Sequence, residues 1–183
     1  MRGQRGFTLV ELMITILIAA ILMAVAIPGF KVMSQNSQQR NAVNDIQILL
    51  ARLRTEVAMR RVGVTACAST DQATCSGGVE WEAGWIIFTD SNVDGVLDAG
   101  DTIIQVHQAL PPGVTLRSMS GATTRLSFSS AGLPTDDTGA TTFRYCDERG
   151  IASLRAVIVG PSGMVRSVLD GNDHEGNEIV ACT

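Results

Sequence analysis

The chain has 183 residues, enough for one globular domain with a true core and one accessory segment. Its 18 acidic residues outnumber 14 basic ones, a net charge of −4, which excludes a general polyanion binder. Hydrophobic residues make up 45% of it, but the excess is concentrated between Phe7 and Ile27, so the remainder has the composition of an ordinary water-soluble domain.

The N-terminus reads in three parts. A short basic leader carrying Arg2 and Arg5 ends at Gly6. The 21 residues from Phe7 to Ile27 are then apolar except for Glu11, Thr8 and Thr15. At about 1.5 Å of rise per helical residue that run crosses the hydrocarbon core of a bilayer. With the basic end first, the leader stays in the cytoplasm and the rest is exported. A cleavable secretory signal would be shorter and would close on an A-x-A pattern, which is missing here. A carboxylate inside a bilayer costs about 2.5–3.5 kcal/mol on insertion scales, so Glu11 marks a function. Pro28 and Gly29 fall where the helix leaves the membrane, and the proline predicts a kink or loosening there.

Gly6 followed by Phe7-Thr8-Leu9-Val10-Glu11-Leu12 and an apolar helix resembles the N-terminal methylation signal of type IV prepilins and type II secretion pseudopilins. The resemblance implies cleavage after Gly6 by a prepilin peptidase and an N-methylated Phe7. It also implies that Glu11 compensates the charged amine of its own or a neighbouring subunit during assembly. Loss of the leader leaves 12 basic residues against 18 acidic ones, a net charge of −6.

From Ser34 to Arg61 there is no Gly or Pro, and Val43, Ile46, Leu50, Leu53 and Val57 form one apolar stripe at helical spacing. Arg40, Asn44, Gln47, Arg54 and Arg61 lie largely off it. The stripe is expected to dock on the following domain. The predicted organisation is a leader at 1–6, a transmembrane helix at 7–28, its amphipathic continuation at 29–61 and a β-rich domain at 62–183.

After Gly63 the period changes from helix to strand. Short β-prone runs are Val62–Ala68, Trp85–Thr89, Thr102–Val106, Val114–Arg117, Arg125–Phe128, Thr142–Cys146, Leu154–Val159, Val165–Leu169 and Ile179–Cys182, separated by Gly, Pro, Asp and Asn clusters. The fold class is therefore α+β: a long N-terminal helix packed on an antiparallel, sandwich-like domain, without the βαβ alternation of nucleotide-binding folds. Leu154–Val159 and Val165–Leu169, joined by Gly160-Pro161-Ser162-Gly163, form the clearest hairpin. Cys67, Cys75, Cys146 and Cys182 have no C-x-x-C spacing, and in an exported chain they imply two disulfides with three possible connectivities. Cys67–Cys75, closing a small loop, and Cys146–Cys182, tying down the tail, are the favoured pair.

The loop from Asp90 to Asp101 fits the spacing of an EF-hand calcium loop. Asp90, Asn92, Asp94, the Val96 carbonyl, Asp98 and Asp101 fall at ligand positions and Gly95 at the sharp turn. The last position is Asp where the motif wants a bidentate Glu, and the flanks read as strands. The competing reading is a tight hairpin whose Asx side chains bond their own backbone.

A second resemblance covers the whole exported region. The segments around Val64-Thr65-Ala66-Cys67-Ala68-Ser69, Trp81 to Asp90, Asn92 to Gly95, and Phe143-Arg144-Tyr145-Cys146-Asp147 with Arg149-Gly150 resemble the GspH/FimT/FimU family of type IV minor pilins. Trp81 and Trp85 are then core residues rather than a carbohydrate platform. The resemblance implies a structural subunit placed in the inner membrane before assembly, with its globular domain periplasmic or extracellular, and with other minor pilins and the major pilin as partners. An H-type pseudopilin of type II secretion is an alternative. Another is DNA uptake, since some FimT-like pilins bind DNA through a G-R-x-R segment. Here the matching stretch is Gly163-Met164-Val165-Arg166, which keeps the second arginine only; Arg155, Arg144 and Arg149 would add to it if they share a face. The acidic total and the acidic Asp170–Glu178 loop rank DNA below filament assembly. Catalysis finds no support: there is no G-x-S-x-G, phosphate loop or H-E-x-x-H, and His107 and His174 lack evident partners.

Overall fold

The computed structural model describes residues 7–119, 124–135, 140–160, 162, 164–168, 172–173, 176–179 and 182. The leader with Gly6, and Gly163, Leu169, Asp170 and His174, lie outside the described residues. One helix, α1 (Leu9–Arg60), is followed by eight strands: β1 (Val64–Ala68), β2 (Trp85–Thr89), β3 (Ile103–His107), β4 (Thr115–Met119), β5 (Arg125–Phe128), β6 (Thr141–Cys146), β7 (Arg155–Val159) and β8 (Val165–Val168). No ninth strand forms at Ile179–Cys182 among the described residues; Glu178 instead makes an isolated bridge to Asn172.

The chain forms two compact units that divide between Gln38 and Gln39. In the first, α1 is exposed all round, as expected of a segment whose solvent is lipid. α1 runs unbroken through Pro28, although a proline has no N–H to bond the carbonyl of Ala24. The docked part of the helix begins only at Gln39, ten residues beyond the predicted membrane exit.

In the second unit the helix buries Ala42, Ile46, Leu49, Leu50, Leu53 and Val57, with Val43 half-buried beside them. This is the stripe the 3.6-residue period requires, widened by Ala42 and Leu49. Glu56 is also buried, held by the guanidinium groups of Arg52 at 2.7 Å and Arg60 at 2.6 Å, one helical turn away on each side. The helix ends where Arg61 turns to φ 58° with its amide still bonded to the Val57 carbonyl. Gly63 follows because the Asp90 carbonyl approaches so closely that any Cβ would overlap it.

The strands form two antiparallel sheets, ordered β3-β2-β1-β5 and β4-β6-β7-β8. Register separates the faces. Val64, Ala66 and Ala68 oppose Thr89, Ile87 and Trp85 across β1 and β2, while Thr65 and Cys67 oppose Phe88 and Ile86 on the other face. The first set joins Leu126, Phe128, the helical stripe, Trp81 and the inner residues Leu116, Phe143, Tyr145, Val157 and Val159 of the second sheet in one core. Trp81 meets Phe143 edge-on at 5.2 Å, so both tryptophans are core residues as expected. β1 is buried along its whole length because loops cover its outer face too, which removes the in–out alternation a half-exposed strand would show.

The favoured disulfides both form, with Cα–Cα distances of 5.5 Å for Cys67–Cys75 and 5.8 Å for Cys146–Cys182. Each pins a covering segment to an outer face. Cys75 and Leu97 pack over Cys67, Ile86 and Phe88 of the first sheet. Ile179 and Cys182 pack over Cys146, Leu154 and Ala156 of the second.

Leu53 is fully enclosed where the helix meets both sheets. Leu53→Ala is expected to destabilise the β-domain by about 2–5 kcal/mol, measured by urea unfolding followed through tryptophan fluorescence.

Candidate functional site

Three of the places with sequence-predicted function, and one the sequence did not mark, are built differently. At the start of α1, Thr8 caps the helix: its Oγ1 accepts the Glu11 amide at 3.2 Å and its carbonyl accepts the Leu12 amide at 3.2 Å. Thr8-Leu9-Val10-Glu11 has the spacing of a capping box, a local reason for a threonine ahead of this glutamate. Glu11 is exposed on the apolar helix, and among the described residues no cation lies within ion-pair distance of it. Phe7 is 81% exposed at the end of the described chain. A carboxylate on a helix that is otherwise lipid-compatible calls for a counter-charge.

Where the helix enters the β-domain, a buried polar anchor appears that the sequence pattern did not single out. The Gln39 amide donates to the Ser153 carbonyl, and the Ser153 hydroxyl donates to Asp147 Oδ1 at 2.7 Å. Asp147 also receives the Arg149 guanidinium through Nη2 at 2.7 Å and the Arg149 amide at 2.9 Å. Burial pushes the Asp147 carboxyl up, but the hydrogen bonds from Arg149 and Ser153 outweigh it and hold the pKa down at about 2. Burial, and then the neighbouring Asp147 charge, push the Tyr145 phenol up to about 12. The Cys146-Asp147-Glu148-Arg149-Gly150 stretch is therefore a structural knot that receives the helix. Gln39 was hidden in the sequence as one more polar residue of a mixed helix.

The Asp90–Asp101 loop turns its side chains onto itself. Asp90 is fully buried; its Oδ2 accepts the Thr65 hydroxyl at 2.6 Å and the Gly95 amide at 2.9 Å, and its Oδ1 accepts the Asp94 amide at 3.2 Å. Asp94 Oδ1 takes the Val96 amide at 2.8 Å, and Asp101 takes the Asp98 amide at 3.0 Å. Asn92 Nδ2 lies between Asp94 Oδ2 at 2.8 Å and Asp98 Oδ2 at 3.3 Å. Among the described residues no group of three His, Cys, Asp or Glu side chains has metal-binding geometry. In this structure the Asx side chains of the connection between β2 and β3 bond its own amides, which they satisfy as readily as they ligate an ion.

The arginines do not assemble into one patch. Arg166 on β8 opposes Ile158, whereas Arg155 on β7 opposes Tyr145. Since faces alternate at each residue, Arg155 and Arg166 project to opposite sides of the second sheet. Arg155 Nη1 donates to the Leu154 carbonyl at 2.8 Å and Arg149 is engaged by Asp147. Arg144 shares a face with Arg166 but is only 8% exposed, its pKa pushed down by burial and by the nearby Arg117 charge. The face of the second sheet that carries the exposed Arg166 thus also carries Arg144 and Arg117, but not Arg155.

Comparison with known proteins bears on the whole chain. A family profile described as "Type II transport protein GspH" matches residues 42–163, and one described as "Prokaryotic N-terminal methylation motif" matches residues 1–27. Two proteins of Pseudomonas aeruginosa described as "Fimbrial protein" are each 43% identical over 49 residues, which is 27% of this chain and 32% of theirs. The chain thus spans about a third of the length of these relatives. The fold matches the crystal structure of the type IV minor pilin FimU of Pseudomonas aeruginosa with a TM-score of 0.55 at 18% identity, covering 75% of this chain and 92% of that one. The minor pseudopilin EpsH of the type 2 secretion system of Vibrio cholerae aligns with a TM-score of 0.48 at 13% identity, over 74% of this chain and 99% of that one.

Two outcomes are expected. Asp90→Ala leaves the Thr65 hydroxyl and two loop amides without their acceptor and should cost about 2–4 kcal/mol in denaturant unfolding, while calcium or a chelator leaves the wild-type melting curve unchanged. Because folding lowers the Asp147 pKa to about 2 from about 4 in the unfolded chain, its contribution is complete above the unfolded value and is lost as the pH falls through the folded one. Asp147→Asn should therefore flatten the stability–pH curve in that acid window and leave its shape at neutral pH unchanged.

Proposed function

The chain belongs to the GspH family of minor pilins and pseudopilins, and from that premise we propose that it is a minor pilin, a structural subunit that takes part in initiating or building a type IV pilus. The observation that carries this reading is one chain holding the methylation motif, a single acidic residue in the apolar helix, and a GspH domain. Cleavage after Gly6 would free the amine of Phe7 for N-methylation. Glu11 of one subunit and the amine of its neighbour would then neutralise each other in the bilayer. Pairing removes most of the 2.5–3.5 kcal/mol or so that a lone carboxylate costs there. The apolar helices associate, and the β-domains meet through surfaces specific to each partner. This is assembly chemistry, and no catalytic constellation is needed for it.

The family description also supports a second reading, an H-type pseudopilin of type II secretion. The two disulfides favour the pilus, and a deletion strain separates the two: loss of surface pili with secretion intact is expected, and the reverse would reassign the protein.

Glu11→Ala should still be processed to a chain beginning at Phe7, which mass spectrometry would detect, yet its share in sheared filaments should fall about tenfold, the factor that about 1.4 kcal/mol represents. Normal incorporation would contradict the charge-pairing mechanism.

A further inference from the structure

The outer face of the first sheet carries a cleft that the assembly reading leaves unused. Antiparallel register sets Arg125 of β5 directly beside Cys67 of β1, so its side chain lies on that outer face. Two loops rise around it, the Cys67–Cys75 disulfide loop and the Asp90–Asp101 loop, and between them is a cleft of about 320 Å³ lined by Cys67, Cys75, Thr74, Val96, Leu97 and Arg125. Arg125 is the one charged side chain among the described lining residues.

The arginine is seated. Gly95 has φ 74°, and any Cβ there would overlap Arg125 Cδ and Nε, so the stem and guanidinium lie flat against the loop backbone. A glycine is needed at this position for both reasons. The carboxylates of that loop bond loop groups: Asp90 accepts the Gly95 amide, Asp94 and Asp101 accept loop amides, and Asp98 accepts from Asn92. Among the described residues nothing forms an ion pair or hydrogen bond with Arg125, while Arg52, Arg60, Arg117 and Arg149 are all paired.

We propose that this cleft is a socket for one acidic side chain of a neighbouring pilin-like subunit, its carboxylate bonded to Arg125 and its aliphatic stem packed on the Cys67–Cys75 disulfide, Val96 and Leu97. The socket rests on the reading of the chain as an assembling subunit. Charge decides the ligand class. One guanidinium, the one charge among the described lining side chains, matches one carboxylate, whereas a phosphate chain would bring excess negative charge into a mostly apolar cleft between two acidic loops. Geometry agrees, because a guanidinium offers a carboxylate two parallel N–H donors. Charge also favours a protein partner. The processed subunit, with a net charge of −6, repels any acidic neighbour unless a local cation meets its carboxylates, and Arg125 is such a cation held in place before contact.

The test uses the full chain in detergent micelles, with 4-methylvalerate as the probe and its isosteric amide as the control, followed by NMR at Arg125 Nε and the Val96 and Leu97 amides. Saturable shifts with the carboxylate only, lost in Arg125→Gln, are expected. In cells Arg125→Gln should lower incorporation into filaments about tenfold and Arg125→Glu further, both with the melting temperature unchanged. Absent shifts, or equal shifts with the amide, overturn the socket whatever the filaments show. Carboxylate-specific binding together with normal incorporation of Arg125→Gln overturns the neighbouring subunit as its source. If the wild-type chain is missing from filaments altogether while the probe binds, the assembly reading has failed, and with it the subunit as source, leaving a site for small carboxylates.

Discussion

A single helix has to satisfy two solvents, and much of the molecule follows from how it does so. From Leu9 to Ile27 the side chains are apolar apart from Glu11 and Thr15, and they are exposed in the isolated chain, a composition suited to lipid. From Gln39 onward the same helix is amphipathic, and its one apolar stripe must be buried in a water-facing domain. Two antiparallel sheets meet that need, contributing inner faces to one core with the stripe. The polar residue at the point of entry, Gln39, bonds a backbone carbonyl instead of reaching for solvent, so the transition from one environment to the other is fixed by a hydrogen bond in the domain.

The domain keeps several charged groups inside and satisfies each locally. Glu56 has two arginines one turn away, Asp147 has Arg149 and Ser153, and Asp90 has a hydroxyl and two amides. A carboxylate buried without such partners would cost several kcal/mol. In the loop between β2 and β3 the Asx side chains likewise bond the loop's own amides.

Against that background two groups stand out because none of the described residues pairs with them: Glu11 on the apolar helix and Arg125 in its cleft. Both are where a second molecule would complete the electrostatics. The first belongs to the helix that brings subunits together and the second to the domain that would distinguish one neighbour from another. That division is the one expected of a subunit whose work is done by contact, since common helical packing gives affinity and local charge complementarity gives specificity.

Sequence by itself determined what depends on local pattern. The Gly6–Leu12 motif, the apolar run and the helical stripe at Ile46, Leu50, Leu53 and Val57 were legible because period and composition act over a few residues. Most strands were found within one or two residues, and both disulfides followed from loop length and an exported location. Tertiary structure alone decided how these pieces meet. Strand order and the existence of two sheets depend on pairings far apart in sequence. So does the face each arginine occupies, which separates Arg155 from Arg166 and sets Arg125 beside Cys67. The Gln39–Ser153–Asp147 anchor joins residues more than a hundred positions apart, and no local period encodes such a contact. The Asp90 loop marks the boundary: its spacing suits two chemistries equally, and only the fold shows that the Asp90 carboxylate accepts the Thr65 hydroxyl and the Gly95 amide.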